Sequence, residues 1–269
     1  MAHPVLLYLT DLSNGDEGED IQISNWLRSF FRLVLCHPAD CERVEDAVDE
    51  IIIRNVWNQN SYPPMCPDYL ERFIRKKLVV HDDIYRTTGA DKTYLVGLYK
   101  QGYPVIPTVD SVKDVSRLPA TDEYFIKPKD GFDAIEARRI SLNDLIRLNP
   151  LGYCIQPLID FDYEISFYYL DKHLQYVLYA PDKNKRWNLY EFTPSVADID
   201  FAERFIRWSK QRYGIERVDA CRLRSGELLL MEIEDQGGMY LSVQSVMEAN
   251  RKRFLNNLKN SISQRIGLD

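Results

Sequence analysis

Histidine is scarce in this chain: His3, His37, His81 and His173 are the four in 269 residues, and they are scattered. A histidine-based metal centre or a serine–histidine dyad therefore has little support. The five cysteines, Cys36, Cys41, Cys66, Cys154 and Cys221, form an odd set without CxxC spacing. That disfavours a disulfide framework and a zinc site, and leaves them as small core residues. The opening MAHPVLLYLTDLSNGDEGED has no basic region ahead of its one short apolar run, so neither a secretory leader nor a membrane span is expected, and the predicted location is cytoplasmic. Positive charge is not in excess either: the net charge is -7 and the pI about 5.3. Nucleic-acid binders normally carry a basic face, so neither a nucleic acid nor a membrane is expected as partner.

What is present suits a folded, core-forming chain. Apolar residues make up 45% and charged residues 28%, with 17 Tyr and no polar low-complexity tract. Residues 4–10 and Ile51–Ile53 are short apolar runs of the kind buried on both faces of a parallel sheet, separated by an amphipathic stretch from Ile21 to Phe31, a strand at Leu33–Cys36 and a brief helix at Val44–Val48. Turn residues crowd 58–67, a helix is expected over Asp68–Lys77, and another over Asp91–Gln101 ahead of PVIPT, read as a strand. Strands then dominate: Tyr124–Lys127, Ile135–Ile140, Tyr153–Pro157, Tyr163–Leu170 and Leu174–Ala180. A helix over Ile199–Tyr213 leads to the strands Arg217–Leu223 and Glu227–Glu234, and a helix over Ser245–Ile262 closes the chain. The expected fold class is mixed α/β (α+β), with units at 1–85, 86–155 and 156–269.

Four segments can carry chemistry. RVDACRLRSGELLLMEIED reads as a hairpin with Asp219 on one strand and Glu232 and Glu234 on one face of the other. Carboxylates gathered there suit Mg²⁺, a hard cation that takes few protein oxygens. The plainer reading is a solvated acidic edge, against which stands the run LLLM that places Glu232 near the sheet interior. EYFIKPKDGFD ends a strand on Lys127 before a turn and can reach a phosphate, although its single glycine makes a weak phosphate loop and a surface lysine is the simpler alternative. YCIQPLIDFDYEIS kinks at Pro157, where backbone groups can meet an adenine edge while Leu158 and Ile159 pack its face, unless it is a plain loop. Arg186, beside Trp187 in PDKNKRWNLYEF, can clamp an anion or simply lie in an exposed hairpin loop.

The order of these segments, DKTYL, PVIPT, YFIKP, IQPLIDFDYEIS, KRW, RVDACR and LLLMEIED, resembles the ATP-grasp superfamily. Within it the chain looks like the glutathione-synthetase-like and D-cycloserine-synthetase-like branch, EIIIRNVWN included. The resemblance implies the ATP-grasp fold: a small parallel α/β domain at the N-terminus, then two α+β lobes that clasp ATP. It implies phosphate contacts from Lys92 and Lys127, an adenine hinge at Gln156, Pro157, Leu158 and Ile159, and a ribose contact from Glu164. It also implies Arg186 and Arg217 at the reacting phosphoryl group, and Asp219, Glu232 and Glu234 on one or two Mg²⁺, with Mn²⁺ as a substitute.

The activity implied is an ATP-dependent ligase that turns a small-molecule carboxylate into an acyl phosphate for attack by an amine, with kinase, cyclase or simple nucleotide binding as alternatives. Two departures stand out. The phosphate-covering loop has only Gly131, and Glu234 stands where many relatives have an amide. Arg54, Asn55 and Trp57 follow a buried strand and are candidates for the acceptor pocket, with a salt bridge and a packed Trp as the alternative reading. A homodimer is a reasonable prior.

Overall fold

Leu6, Leu7, Tyr8 and Leu9 are all buried, and alternation along one strand divides them between two cores. Leu6 and Tyr8 pack with Ile23, Leu27 and Ile52, whereas Leu7 and Leu9 pack with Cys41, Val48, Ile51 and Ile53. Burial on both faces is what a parallel sheet requires. In this computed structural model, which describes residues 4–10, 18–54, 81, 91–130, 136–235 and 240–268, the strand is β1 (Val5–Thr10). It lies between β2 (Arg32–Cys36) and β3 (Glu50–Arg54), parallel to both. The first crossover carries helix α1 (Glu19–Leu27), and the second is 3-10 helix at Pro38–Arg43 and Glu45–Ala47 rather than α-helix.

Glu50, at the start of β3, carries a testable cost. Burial and then the charge of Asp49 push its carboxyl up to about 7. A carboxylate whose folded value lies above its ordinary one stabilises the fold only while protonated, and that stability is lost as pH rises from about 4.5 through 7. Glu50→Gln should therefore lose less melting temperature than the parent between pH 5 and 8. Superimposable curves of melting temperature against pH would exclude this.

Two antiparallel sheets follow. The smaller has the order β5-β4-β6, from β4 (Glu123–Pro128), β5 (Arg138–Ser141) and β6 (Tyr153–Pro157). The larger joins β7 (Tyr163–Leu170), β8 (His173–Ala180), β9 (Tyr190–Glu191), β10 (Ile215–Arg222) and β11 (Leu228–Asp235) in the order β11-β10-β7-β8-β9. Helix α2 (Tyr94–Lys100) precedes these sheets. A short helix that periodicity does not announce, α3 (Leu142–Leu148), starts at Ser141, whose hydroxyl accepts from the Asp144 N–H at 3.1 Å. Helix α4 (Val196–Ser209) begins three residues earlier than expected because Ser195 and Asp198 form a capping box. The last helix, α5 (Glu248–Arg265), packs Phe254, Leu258 and Ile262 against the core that holds β1 and β3.

PVIPT is not a ladder strand. Pro104 and Pro107 lack the N–H groups a ladder needs, so the segment and the residue after it make only isolated bridges, Val105 with Leu230 of β11 and Val109 with Ile155 of β6. It thereby ties the two antiparallel sheets together. A close approach of another kind sits at Gly214, before β10, where φ is +106° and an added Cβ would come within 2.8 Å of the Cβ of His81. His81 is itself held by Ser261 of α5 at 3.0 Å. Gly214→Ala should cost about 1–3 kcal/mol through backbone strain and overpacking, seen as a lower melting temperature. The expected helix over Asp68–Lys77, together with Asn55 and Trp57, lies outside the described residues.

Candidate active site

A β-bulge sets the site. On β10, Val218 and Ala220 face the core formed with Phe201, Phe205 and Ile206 of α4, so Arg217 and Asp219 face the other way. On β11, Leu228 and Leu230 face that same core, and strict alternation would send Glu232 and Glu234 there too. Asp219 instead pairs with Glu232 while Ala220 pairs with Leu230, which leaves Met231 as the extra residue. The slip exchanges the faces: Ile233 enters the core, and Glu232 and Glu234 join Arg217 and Asp219 opposite it.

On that face the charges form one knot. Arg217 Nε lies 2.9 and 3.0 Å from the two carboxylate oxygens of Asp219, and its Nη2 bonds both Asp219, at 2.8 Å, and Glu234. Ser166, two residues along β7 from Glu164, donates to Asp219 at 2.6 Å. Lys92 Nζ pairs with Glu232 at 2.8 Å, and Lys127 Nζ donates to the Met231 carbonyl at 3.0 Å. The bulge thus supplies the small sheet's lysine with an acceptor. Tyr94 of α2 closes the contact, accepting from Ile233 N–H at 2.8 Å.

The two glutamates respond oppositely. Burial raises the Glu232 carboxyl, but Lys92 and Lys127 outweigh it and the group ends below its ordinary value. Burial pushes Glu234 up to about 8, with Arg217 opposing and Glu232 and Asp219 adding to the rise. Lys127 is drawn below the usual lysine range by burial, against the pull of Glu232. Carboxylate oxygens on adjacent strands are the donor chemistry a hard divalent cation needs, and Asp219 stands directly opposite Glu232. As they stand, their charges are met by Arg217 and Lys92, and among the described residues no three Asp, Glu, His or Cys converge on one point. A cation would enter by exchanging with those internal partners. The donor set fits it.

The expected adenine segment borders the join between the sheets. Gln156 is buried and its amide donates to Thr108 Oγ1 at 2.8 Å, so the side chain braces β6 against the Val105–Val109 segment. Leu158 N–H donates to the Glu123 carbonyl at 3.0 Å, so the kink does not release that group from the ladder. Ile155 exchanges backbone bonds with Val109, and alternation points the Pro157 carbonyl, two residues on, to the same side. Leu158 and Ile159 are half-buried.

Glu164 shares the face of Ser166 and Asp219, its carboxyl raised by burial, with Arg186 opposing and Asp219 adding. Arg186 lies outside the knot, exposed, its guanidinium carbon 5.1 Å from the Trp187 ring centre. Arg54 adopts the salt-bridge alternative: 2% exposed, it reaches Glu19 at 3.0 Å and Asp20 at 3.2 Å.

Ser166 and Tyr94 are the residues sequence reasoning passed over. Ser166 was accessible, since alternation from Glu164 puts it on the site face, whereas nothing local marks Tyr94.

No protein-family model and no curated protein matches the sequence. Among solved structures the chain is similar to a D-cycloserine synthetase, with a TM-score of 0.74 at 17% identity over 96% of this chain and 99% of that one. It is similar to the D-alanine–D-alanine ligase of Bacillus anthracis complexed with ATP, with a TM-score of 0.64 at 12% identity over 99% of this chain and 100% of that one. A RiPP-associated ATP-grasp ligase of Chryseobacterium gregarium, in complex with ADP and a leader and core peptide, gives 0.65 at 11% identity over 99% and 97%. At these identities the likeness is one of architecture. From its parallel N-terminal sheet to the two antiparallel sheets that meet at the charged knot, the chain has the ATP-grasp fold.

Proposed function

We propose that this protein is an ATP-dependent ligase that activates a small-molecule carboxylate as an acyl phosphate and passes the acyl group to an amine. The observation that carries the reading is the meeting of Lys92, from the turn ahead of α2, and Lys127 of the small sheet with Asp219, Glu232, Glu234 and Arg217 of the larger one. In the proposed division, residues 86–155 and 156–269 are the lobes that enclose ATP, and 1–85 helps form the acceptor pocket.

In this reading Lys92 and Lys127 leave their internal acceptors for the ATP phosphates. The Gln156–Ile159 backbone takes the adenine, and Glu164 the ribose. Asp219, Glu232 and Glu234 would hold Mg²⁺, which neutralises phosphate charge when bound. A substrate carboxylate oxygen attacks the γ-phosphorus and ADP leaves. The amine nitrogen then attacks the acyl carbon, phosphate leaves, and the amine gives up a proton. Arg217 and Arg186 are assigned to the negative charge on the transferred group, a role that preorganised cations serve well. The protein's work is positioning and charge stabilisation, without a covalent enzyme intermediate.

The test is incubation with Mg-ATP and pools of small carboxylates and amines, with ADP and phosphate both assayed. Equal release of the two, dependent on both substrates, is expected. ADP without free phosphate would instead make the protein a kinase, and release requiring a single substrate would point to cyclisation. Bound ATP with no turnover would make it a nucleotide-binding protein.

A further inference from the structure

Arg217 is fixed from two sides. Asp219 and Glu234 hold it from the sheet, and its Nη1 donates to the Tyr240 carbonyl at 3.0 Å. Tyr240 begins a segment whose next residues are held by a distant part of the chain. Leu241 N–H and Val243 N–H both donate to the carboxylate of Glu19, at 2.8 and 3.2 Å, across more than 220 residues. Tyr176 of β8 donates its hydroxyl to the Leu241 carbonyl at 2.8 Å. Glu19 opens α1, is 2% exposed, and is neutralised by the equally buried Arg54.

We propose that Glu19 is a positioning residue for the active site: by clamping two N–H groups of the Tyr240–Val243 segment it holds the Tyr240 carbonyl that tethers Arg217 at the site, a tether that stays when a cation takes the place of Arg217 on Asp219 and Glu234. The proposal rests on the ligase reading for the role of Arg217, but its geometry is independent of substrate identity. The chemistry of the clamp is specific. Only a carboxylate offers two acceptor oxygens to two N–H groups while balancing a buried guanidinium. A glutamine offers one acceptor, and its NH₂ would face a backbone N–H. The segment is thereby loosened while Asp20 still balances Arg54 at 3.2 Å, so Glu19→Gln keeps the charge pairing that folding needs. Helix α1 contributes in this way to the charged knot without touching it.

The test is a double-mutant cycle of Glu19→Gln with Arg217→Lys. Outer-shell partners of a metal or charge site are typically worth roughly 10- to 100-fold in activity or affinity, and Glu19→Gln should lower kcat by that much with KM for ATP little changed. Because Glu19 acts through Arg217, the double variant should be no worse than Arg217→Lys alone. Multiplying losses would overturn the proposal, as would a Glu19→Gln protein with a lower melting temperature and full kcat below it. Tyr176→Phe removes the other bond on the segment without removing charge, and serves in the same cycle if Glu19→Gln does not fold. If the parent protein shows no turnover, the ligase reading has failed, and the cycle is read on the free energy of denaturant unfolding. There, non-additivity supports the positioning role and additivity overturns it.

Discussion

Glu232→Gln is expected to lower ATP-dependent turnover by roughly two to three orders of magnitude, the loss typical of removing one preorganised electrostatic partner, and to leave a folded protein. Glu232 is the carboxylate on which the site converges: Lys92 touches it, Lys127 sits one residue away on Met231, and Asp219 faces it across the ladder. The amide keeps the shape and removes the charge a cation would meet. The same change strips Lys92 of its internal counter-charge, so binding of ATP without metal is expected to hold or tighten while Mg²⁺-dependent turnover collapses. ADP release, nucleotide affinity with and without Mg²⁺, and circular-dichroism melting check the three parts. Full turnover in a folded variant would remove Glu232 from the metal assignment and with it the main support for the proposed function.

The second large effect is on stability. Arg54→Met is expected to cost about 3–5 kcal/mol, the range for breaking a buried ion pair by deleting one partner. Burial alone would favour loss of the Arg54 proton, but Asp20, Tyr8 and Glu19 together hold it above the ordinary arginine range. Without the guanidinium, Glu19 and Asp20 face each other in the interior, and Tyr8 and Thr10 supply only hydroxyls to Asp20. Burial already raises the Glu19 carboxyl, with Arg54 opposing. Deleting Arg54 raises it further, so the folded variant binds protons more readily than its unfolded chain and regains stability as pH falls. Denaturant unfolding at pH 7.5 and pH 5 should show a loss that is larger at the higher pH. A pH-independent loss would mean that packing, not charge, is what Arg54 contributes.

The parallel N-terminal sheet and most strands of the two antiparallel sheets follow from local patterns. Apolar runs such as LLYL and III require burial on both faces, and the aromatic and β-branched residues of YEISFYYL favour a strand. The 3-10 crossover, α3 and the failure of PVIPT as a strand were less accessible, because short helices have little periodicity and proline removes ladder donors without showing where the chain then runs. Arg54 is instructive: as a charged residue at the end of a buried strand it reads equally as a ligand contact or an ion pair. The partners that tell the two apart, Glu19 and Asp20, lie more than 30 residues away.

By itself the sequence determined the identity and order of the charged groups, and through them the resemblance to the ATP-grasp superfamily. Only the tertiary structure decided which way Asp219, Glu232 and Glu234 face and what they meet. The apolar run LLLM pointed to a place for Glu232 near the sheet interior, and the bulge at Met231 decided which face it stands on. A bulge is a property of two paired strands, since the extra residue exists only relative to the partner that lacks it. The ion pairs with Lys92 and Arg217, and the clamp from Glu19, likewise depend on distances that chain order does not contain.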